Sequence, residues 1–572
     1  MNFLSVKRKI RELFPDLWEN SKAFFYNVKL RIPFFYPQAY RDLVRLSGDT
    51  RDFWEDGRGK GKKILFFAVR QDPLHIMWQL VMARALKMRG QKVDYIACDG
   101  LIRKCCNERW YPEIKKLVCK GCHFFAKKLY SLAGLDVKWV SSYALREDIS
   151  GAQKAVKGLD FAGYRGFMYK GLPLGELVRP SVFHFTRVED IESFGERDRI
   201  TRRIYRDFIS GSVMMFNVCQ KILSECSPDV VVMLNGKFAS ERVMFELCKR
   251  NDIRTVVMET GIQPDTIVML HDSFIDYRKV EGWERRKQVS LTDKENERLD
   301  REFSLRKTGG RSEEGGLTAD YWTDVIDDKN KIIEELGLKG YRKVATLFPN
   351  IAWDSAISGL TIMFRTMKEW VSATIAYFEK HPDICLIIRA HPADATWPVS
   401  MRDSIYTWIK NSYGKSLPEN IKLISPYNQI SSYVLMDITD IGIVSSSTTG
   451  LEMALMGKPV VVVGRVHYWG KGFTLDPVTE EEYHKTLDEL LLSGGCDRER
   501  GINVELARRY AYFIFFEASL RFKYVNTKGY TTIPRLEFSS YQDLIPGKDP
   551  ILDAICDGIV DGRPFVVDPR SR

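Results

Sequence analysis

Residues 229–258 read DVVVMLNGKFASERVMFELCKRNDIRTVVM. The run Asp229-Val230-Val231-Val232-Met233-Leu234 is short and apolar on every side, the pattern of a strand buried on both faces. From about Ser240 to Arg250 the spacing becomes helical, and Thr255-Val256-Val257-Met258 is a second apolar run. Strand, helix and strand in that order predict a parallel pair joined by a crossover helix.

The same alternation extends outward in both directions. Upstream lie Ile64-Leu65-Phe66-Phe67-Ala68-Val69, a helical stretch from His75 to Arg89 that stops at Gly90, and Val93-Asp94-Tyr95-Ile96-Ala97. Downstream, the charged stretch Arg285 to Ser312, with Lys307-Thr308-Gly309-Gly310-Arg311, reads as an interdomain connection or a surface excursion. A second series then begins. Val344-Ala345-Thr346-Leu347-Phe348, a helix from Thr361 to Phe378, Ile384 to Ile388, Ile421 to Ile424, Ile438 to Val444 and Val460 to Val463 complete a sheet. Leu506 to Phe516 is helical and aromatic, as expected of a tail that crosses back to the first domain. The predicted fold class is α/β, with two Rossmann-like parallel-sheet domains facing a cleft. The expected domains are a basic aromatic extension over 1–60, an acceptor domain over 61–300 with a Cys-rich insert near 98–123, a nucleotide-sugar domain over 320–495, and a helical tail over 496–572.

A length of 572 residues is enough for two to four domains. The net charge of +11 favours anionic partners such as nucleotide phosphates, acidic glycans or a membrane surface. No zinc finger, RNA-binding signature or dense basic arm is present, so no nucleic-acid partner is expected. No apolar run reaches the roughly 18 residues of a membrane span. The N-terminal MNFLSVKRKIRELF is too charged for a signal peptide, which places the chain in the cytoplasm. Phe24, Phe25, Tyr26, Phe34, Phe35 and Tyr36 stand among Lys22, Lys29 and Arg31, a mix that suits peripheral contact with the inner membrane face or packing over the first domain.

The chemistry-bearing stretches lie at predicted strand ends, where open α/β sheets bind ligands. Ser445-Ser446-Ser447-Thr448-Thr449-Gly450-Leu451-Glu452 joins a strand to a helix start. Its hydroxyls and free N–H groups suit a phosphate, and Glu452 suits a ribose; the same Thr449-x-x-Glu452 spacing also fits a capping box. Arg389-Ala390-His391-Pro392 ends another strand and offers a charge and a donor. Gly464-Arg465-Val466-His467-Tyr468-Trp469-Gly470-Lys471-Gly472-Phe473 joins glycines, bases and aromatic faces suited to a ligand, Lys471 among them. In the first domain, Glu259 precedes a glycine turn, and Asp265 and Asp272 follow on the same loop. Cys105, Cys119 and Cys122 have spacing compatible with a structural zinc, with free buried thiols as the alternative.

Arg389-Ala390-His391-Pro392, Ser445 to Glu452 with Gly457-Lys458-Pro459, and Tyr468-Trp469-Gly470-Lys471-Gly472-Phe473-Thr474 together resemble the bacterial capsule polysaccharide synthesis family, which includes β-Kdo transferases. The resemblance spans about 340–480 and extends weakly to Asn235-Gly236 and Glu259-x-Gly261. It implies a GT-B fold whose second lobe binds a nucleotide sugar through His391 and the helix start at Ser446, Ser447, Thr448, Thr449 and Gly450; the residue reading adds Arg389, Glu452 and Lys471. It also implies transfer to a surface polysaccharide or glycolipid, with no cofactor required. The retaining Kdo transferases of this group carry Glu-Asp-Gly where this chain has Glu259-Thr260-Gly261. Thr260 cannot serve as a carboxylate nucleophile, so a single inverting displacement with Glu259 as general base is expected, with Asp265 and Asp272 in reserve. The donor can be CMP-, UDP- or GDP-linked. Nucleotide-sugar 2-epimerases and polyol-phosphate transferases share the two-lobed plan, and a non-catalytic subunit of a capsule assembly complex would keep it too.

Overall fold

The computed structural model describes residues 37–46, 61–102, 104–105, 115–263, 265–307, 326–351, 362–396, 402, 404–492, 502–526 and 534–567. Most of the N-terminal extension therefore lies outside the described residues. Of it, Gln38–Leu46 forms helix α1, with Tyr40 and Leu43 buried.

The first sheet is built from β1 (Lys63–Ala68), β2 (Lys92–Ala97), β3 (Lys138–Trp139), β4 (Val230–Leu234), β5 (Arg254–Thr260) and β6 (Thr266–His271). Its strands run in the order β6-β5-β4-β1-β2-β3. The β1–β2, β2–β3, β1–β4 and β4–β5 pairs are parallel, and β5–β6 is antiparallel. Helix α2 (Pro73–Met88) connects β1 to β2, starting at the N-cap Asp72, whose side chain accepts from Leu74 N. Helix α3 (Arg199–Cys226) leads into β4, and α4 (Ala239–Arg250) connects β4 to β5.

Of the charged 285–312 stretch, residues 308–312 lie outside the described residues, and the part before them contains a helix. Helix α5 spans Asp293–Lys307, with Glu295, Leu299 and Glu302 buried. Its low apolar content hides it from periodicity, because charge pairing rather than oil holds it. Arg286 lies 3.1 Å from Glu295 and 3.2 Å from Glu517, and Arg508 lies 2.7 Å from Asp300.

The second sheet contains β7 (Lys343–Phe348), β8 (Ile384–Arg389), β9 (Ile421–Ile424), β10 (Ile441–Val444) and β11 (Val460–Val462), in the order β11-β10-β7-β8-β9 and parallel throughout. Helix α6 (Met367–Glu379) precedes β8, α7 (Ser432–Ile438) precedes β10 and α8 (Thr449–Leu455) follows it. After α9 (Val504–Tyr512) the chain returns to the first lobe. There β12 (Leu520–Arg521) pairs antiparallel with β6 as the edge strand. Arg254 donates to Val560 O at 2.7 Å, fastening the last helix, α10 (Pro550–Asp561), to the same lobe.

Alternate side chains of each strand serve opposite cores, as the pleat requires. Ile64 and Phe66 join one buried cluster of the first lobe, and Ala345 and Leu347 join one of the second. Leu65, Phe67, Val344 and Phe348 all belong to a third cluster that runs through Trp283, Tyr510 and Phe513. The two lobes thus share a core, sealed by the returning tail. Among the described residues no helix is long and apolar enough to cross a membrane.

Candidate active site

The carboxyl ends of β1, β4 and β5 bring Arg70, Asn235 and Glu259 together. Asn235 adopts a left-handed backbone at φ 58°, which Asn tolerates because its short side chain bonds locally. Its Nδ2 donates to Glu259 Oε2 at 2.7 Å, and its Oδ1 accepts from Lys237 N at 3.1 Å. Thr260 N and Oγ1 donate to Glu259 Oε1 at 3.0 and 3.3 Å. Burial pushes the Glu259 carboxyl up, but His75, Arg70 and Asn235 outweigh it and hold it at about 2. Glu259 is therefore a fixed carboxylate aimed by Asn235 and Thr260.

The two reserve acids are placed differently. Asp265 is at the β5–β6 turn, where its carbonyl accepts from Phe522 N at 2.9 Å, tying that turn to the returning tail. Asp272 follows β6, which runs antiparallel to β5, so it emerges at the opposite edge of the sheet from Glu259. Its carboxylate accepts from Thr255 N at 2.8 Å, next to the start of β5. The loop order in sequence suggested proximity, but the antiparallel turn separates the two acids, and Asp272 cannot replace Glu259.

In the second lobe, His391 follows β8 and the Ser446–Thr449 segment follows β10, both at the carboxyl edge of the sheet with β7 between them. His391 Nδ1 accepts from Ala393 N at 3.1 Å. Burial, with the nearby Arg389 charge, pushes the ring down to about 4. The ring is neutral at pH 7, and with Nδ1 accepting, its proton sits on Nε2, which makes that nitrogen a donor. Asn350, at the end of β7, donates from Nδ2 to Ser446 Oγ at 2.9 Å. Ser447 Oγ donates to Thr449 Oγ1 at 2.8 Å and accepts from Thr449 N at 3.2 Å. Thr448 occupies the N-cap without a side-chain cap bond.

Several expected ligand groups prove to be committed within the protein. Arg389 is buried and donates to Ser425 O at 2.7 Å and Asn428 O at 2.9 Å, so it holds the 425–430 loop instead of presenting its charge to a phosphate. Burial lowers it to about 10. Glu452 forms no capping box. Its Oε1 accepts from Tyr433 Oη at 3.1 Å and lies 3.5 Å from Arg306 Nη1. Burial pushes this carboxyl up, and Arg306 and Tyr433 offset that only in part. Gly450 is required by packing. A Cβ there would meet Tyr468 Oη at 2.2 Å and Val444 Cγ2 at 2.9 Å.

The glycine-aromatic loop is also turned inward. Tyr468 and Phe473 are buried, and His467 Nδ1 bonds Tyr510 Oη at 2.9 Å. These rings pack against α9, so they are not open faces for a sugar. Lys471 is lowered by burial, its nearest charges being Glu284 and Lys287, which come from the chain following the first lobe.

Among the described residues no group of three or more His, Cys, Asp and Glu side chains is arranged to hold a metal ion, so Cys105, Cys119 and Cys122 do not form the expected zinc set. Burial pushes Cys98 up to about 11 and Cys122 well above the usual thiol range.

The sequence reading does not single out Arg70, His75 or Asn350 as site residues. Each follows a strand that the sequence predicts, β1 or β7, so the strand-end rule applied to every strand points to them.

Residues 363–494 match the family model described as capsule polysaccharide biosynthesis protein. No curated protein matches the chain. Among solved structures, the Thermosulfurimonas dismutans KpsC β-Kdo 2,7 transferase is 17% identical, with 51% of this chain and 78% of that one covered and a TM-score of 0.30. The β-Kdo 2,4 transferase of the same KpsC is 14% identical, with 55% and 86% covered and a TM-score of 0.29. The UDP-GlcNAc 2-epimerase of Neisseria meningitidis is 11% identical, with 79% and 98% covered and a TM-score of 0.24. At such scores the fold class rests on this chain's own strand order and pairing.

Proposed function

We propose, for a chain whose residues 363–494 belong to the capsule polysaccharide biosynthesis family, that it transfers a glycosyl group from a nucleotide sugar to a glycan or glycolipid acceptor. The observation that carries this reading is the pairing of opposite chemistries at two sheet edges. The second lobe offers His391 as a neutral donor and the Ser446–Thr449 hydroxyls at the same sheet edge, suited to the departing phosphate. The first lobe offers Glu259, an ionised carboxylate held by Asn235 and Thr260, suited to the acceptor hydroxyl.

Arg306 supports a shared cleft, since one guanidinium reaches both the Glu259 loop and α8. With Thr260 a hydroxyl donor to Glu259 and no carboxylate in its place, the reading is a single inverting displacement. The acceptor oxygen attacks the anomeric carbon as Glu259 takes its proton and the nucleotide leaves.

A panel of CMP-, UDP- and GDP-sugars tests this by protein stabilisation. A ligand at 100 times its dissociation constant adds about 2.7 kcal/mol. Stabilisation by none of the three classes would overturn the reading.

A further inference from the structure

Behind Glu259 stands an imidazole that the transfer reading leaves unused. His75 lies in the first turn of α2. Its Nε2 is 3.7 Å from Glu259 Oε1, and its Nδ1 is 3.6 Å from Asp72 Oδ1. Both ring nitrogens are shielded from water, and neither has a hydrogen-bond partner among the described residues. A buried polar group without a partner is costly and calls for an explanation. The ring is steadied edge-on against Trp78, with centroids 5.4 Å apart. The flanking carboxylates differ in exposure, 19% for the Glu259 side chain and 47% for Asp72. The three groups form a row leading from the less exposed carboxylate to the more exposed one.

We propose that His75 relays the acceptor's proton from Glu259 toward Asp72 and bulk water. This rests on the transfer reading above. In the transfer the acceptor O–H bond breaks, the oxygen bonds the anomeric carbon, and the sugar–phosphate bond breaks with its electron pair leaving on the nucleotide. The proton passes to Glu259 and then to His75 Nε2, while the Nδ1 proton passes to Asp72 and is lost to water. One proton is released for each sugar transferred, and no further reactant is needed.

The energetics favour such an exit. A carboxyl held at about 2 keeps a proton poorly, so a base of that strength must pass it on before the next cycle. The charged groups around the ring are Glu259 from β5 and Asp72 at its own helix cap, with Arg70 acting on Glu259 from the end of β1. Both gaps exceed an ordinary hydrogen bond by roughly 0.7 Å, a looseness that closes when substrate seats.

The full chain with ring-labelled histidine tests the relay by NMR, the His75 signal being assigned by its loss in His75→Gln. Glu259→Gln and Asp72→Asn should each shift the His75 ring-nitrogen signals, since each changes the group facing one ring nitrogen. Asn also caps helices, so Asp72→Asn keeps the fold. With whichever nucleotide sugar stabilises the chain, His75→Ala should lower kcat at least about tenfold with KM unchanged, and free imidazole should restore part of it. Unmoved ring signals, or an unchanged kcat in His75→Ala, while nucleotide sugars still stabilise the protein, would overturn the relay alone. Stabilisation by no nucleotide sugar removes the transfer reading and the relay with it.

Discussion

Arg306 Nη1 lies 3.5 Å from Glu452 Oε1, and the same guanidinium donates from Nη2 to Ile262 O at 3.3 Å. One side chain thus links α8 of the second lobe to the loop that follows Glu259 in the first. Its Nε donates to Glu302 at 3.0 Å, and its plane covers Phe515 at 4.6 Å. A polar helix that looked like a linker therefore carries the residue that sets the lobes against each other.

Arg306→Met should destabilise the protein by about 3–5 kcal/mol, because it leaves Glu452 buried without its partner. Adding Glu452→Gln should recover part of that loss. Chemical denaturation of the single and double variants measures both, and an Arg306→Met midpoint equal to wild type would contradict the pairing.

Glu259 gives a defined pH signature. Its folded value of about 2 lies below the ordinary 4.5, so its contribution is present above about pH 4.5 and is lost as pH falls toward 2. Stability measured from pH 6 to 3 should fall less steeply in Glu259→Gln than in wild type. Parallel curves would show that the carboxylate is not held as described.

Turnover should separate from binding at the same residue. Glu259→Gln should lose about 10²–10⁴-fold in rate, the usual cost of a missing general base, yet keep its nucleotide-sugar affinity. Near-normal turnover with a verified donor and acceptor would remove Glu259 from the base role.

His391 should bind as a neutral donor. Nucleotide affinity measured calorimetrically should stay flat from pH 6 to 8, since a ring lowered to about 4 does not change charge there. His391→Ala should weaken binding by about 1.5–3 kcal/mol, the range for a hydrogen bond to a charged group. A twofold pH step through 6.5 would mean the ring is protonated instead.

Gly450→Ala should cost about 1–3 kcal/mol from overpacking against Tyr468. Tyr468→Phe removes the clashing hydroxyl and should relieve part of the loss in the double variant. Thermal melts of the three proteins decide it.

Strands and crossover helices were legible because a parallel strand buried on both faces must be apolar along its whole length, a local property. Val230–Leu234 and Val460–Val462 show it without reference to any neighbour. Local rules also brought Glu259, His391 and Ser446 to strand ends. They failed on α5, where Glu295 and Glu302 are buried by ion pairs with Arg286 and Arg306. They failed again on Asp272, because an antiparallel turn reverses which edge a residue reaches.

Which charged groups remain free for a ligand is a different kind of question. Arg389 looks like a phosphate ligand until the 425–430 carbonyls take its donors, and Glu452 looks like a ribose ligand until Tyr433 and Arg306 engage it. His75 and Glu259 are far apart in the chain and adjacent in the fold. Apolar periodicity is written residue by residue, so the two-sheet architecture follows from the sequence. A buried polar group's role depends on partners that only chain closure brings within about 3 Å, so the tertiary structure alone assigns it.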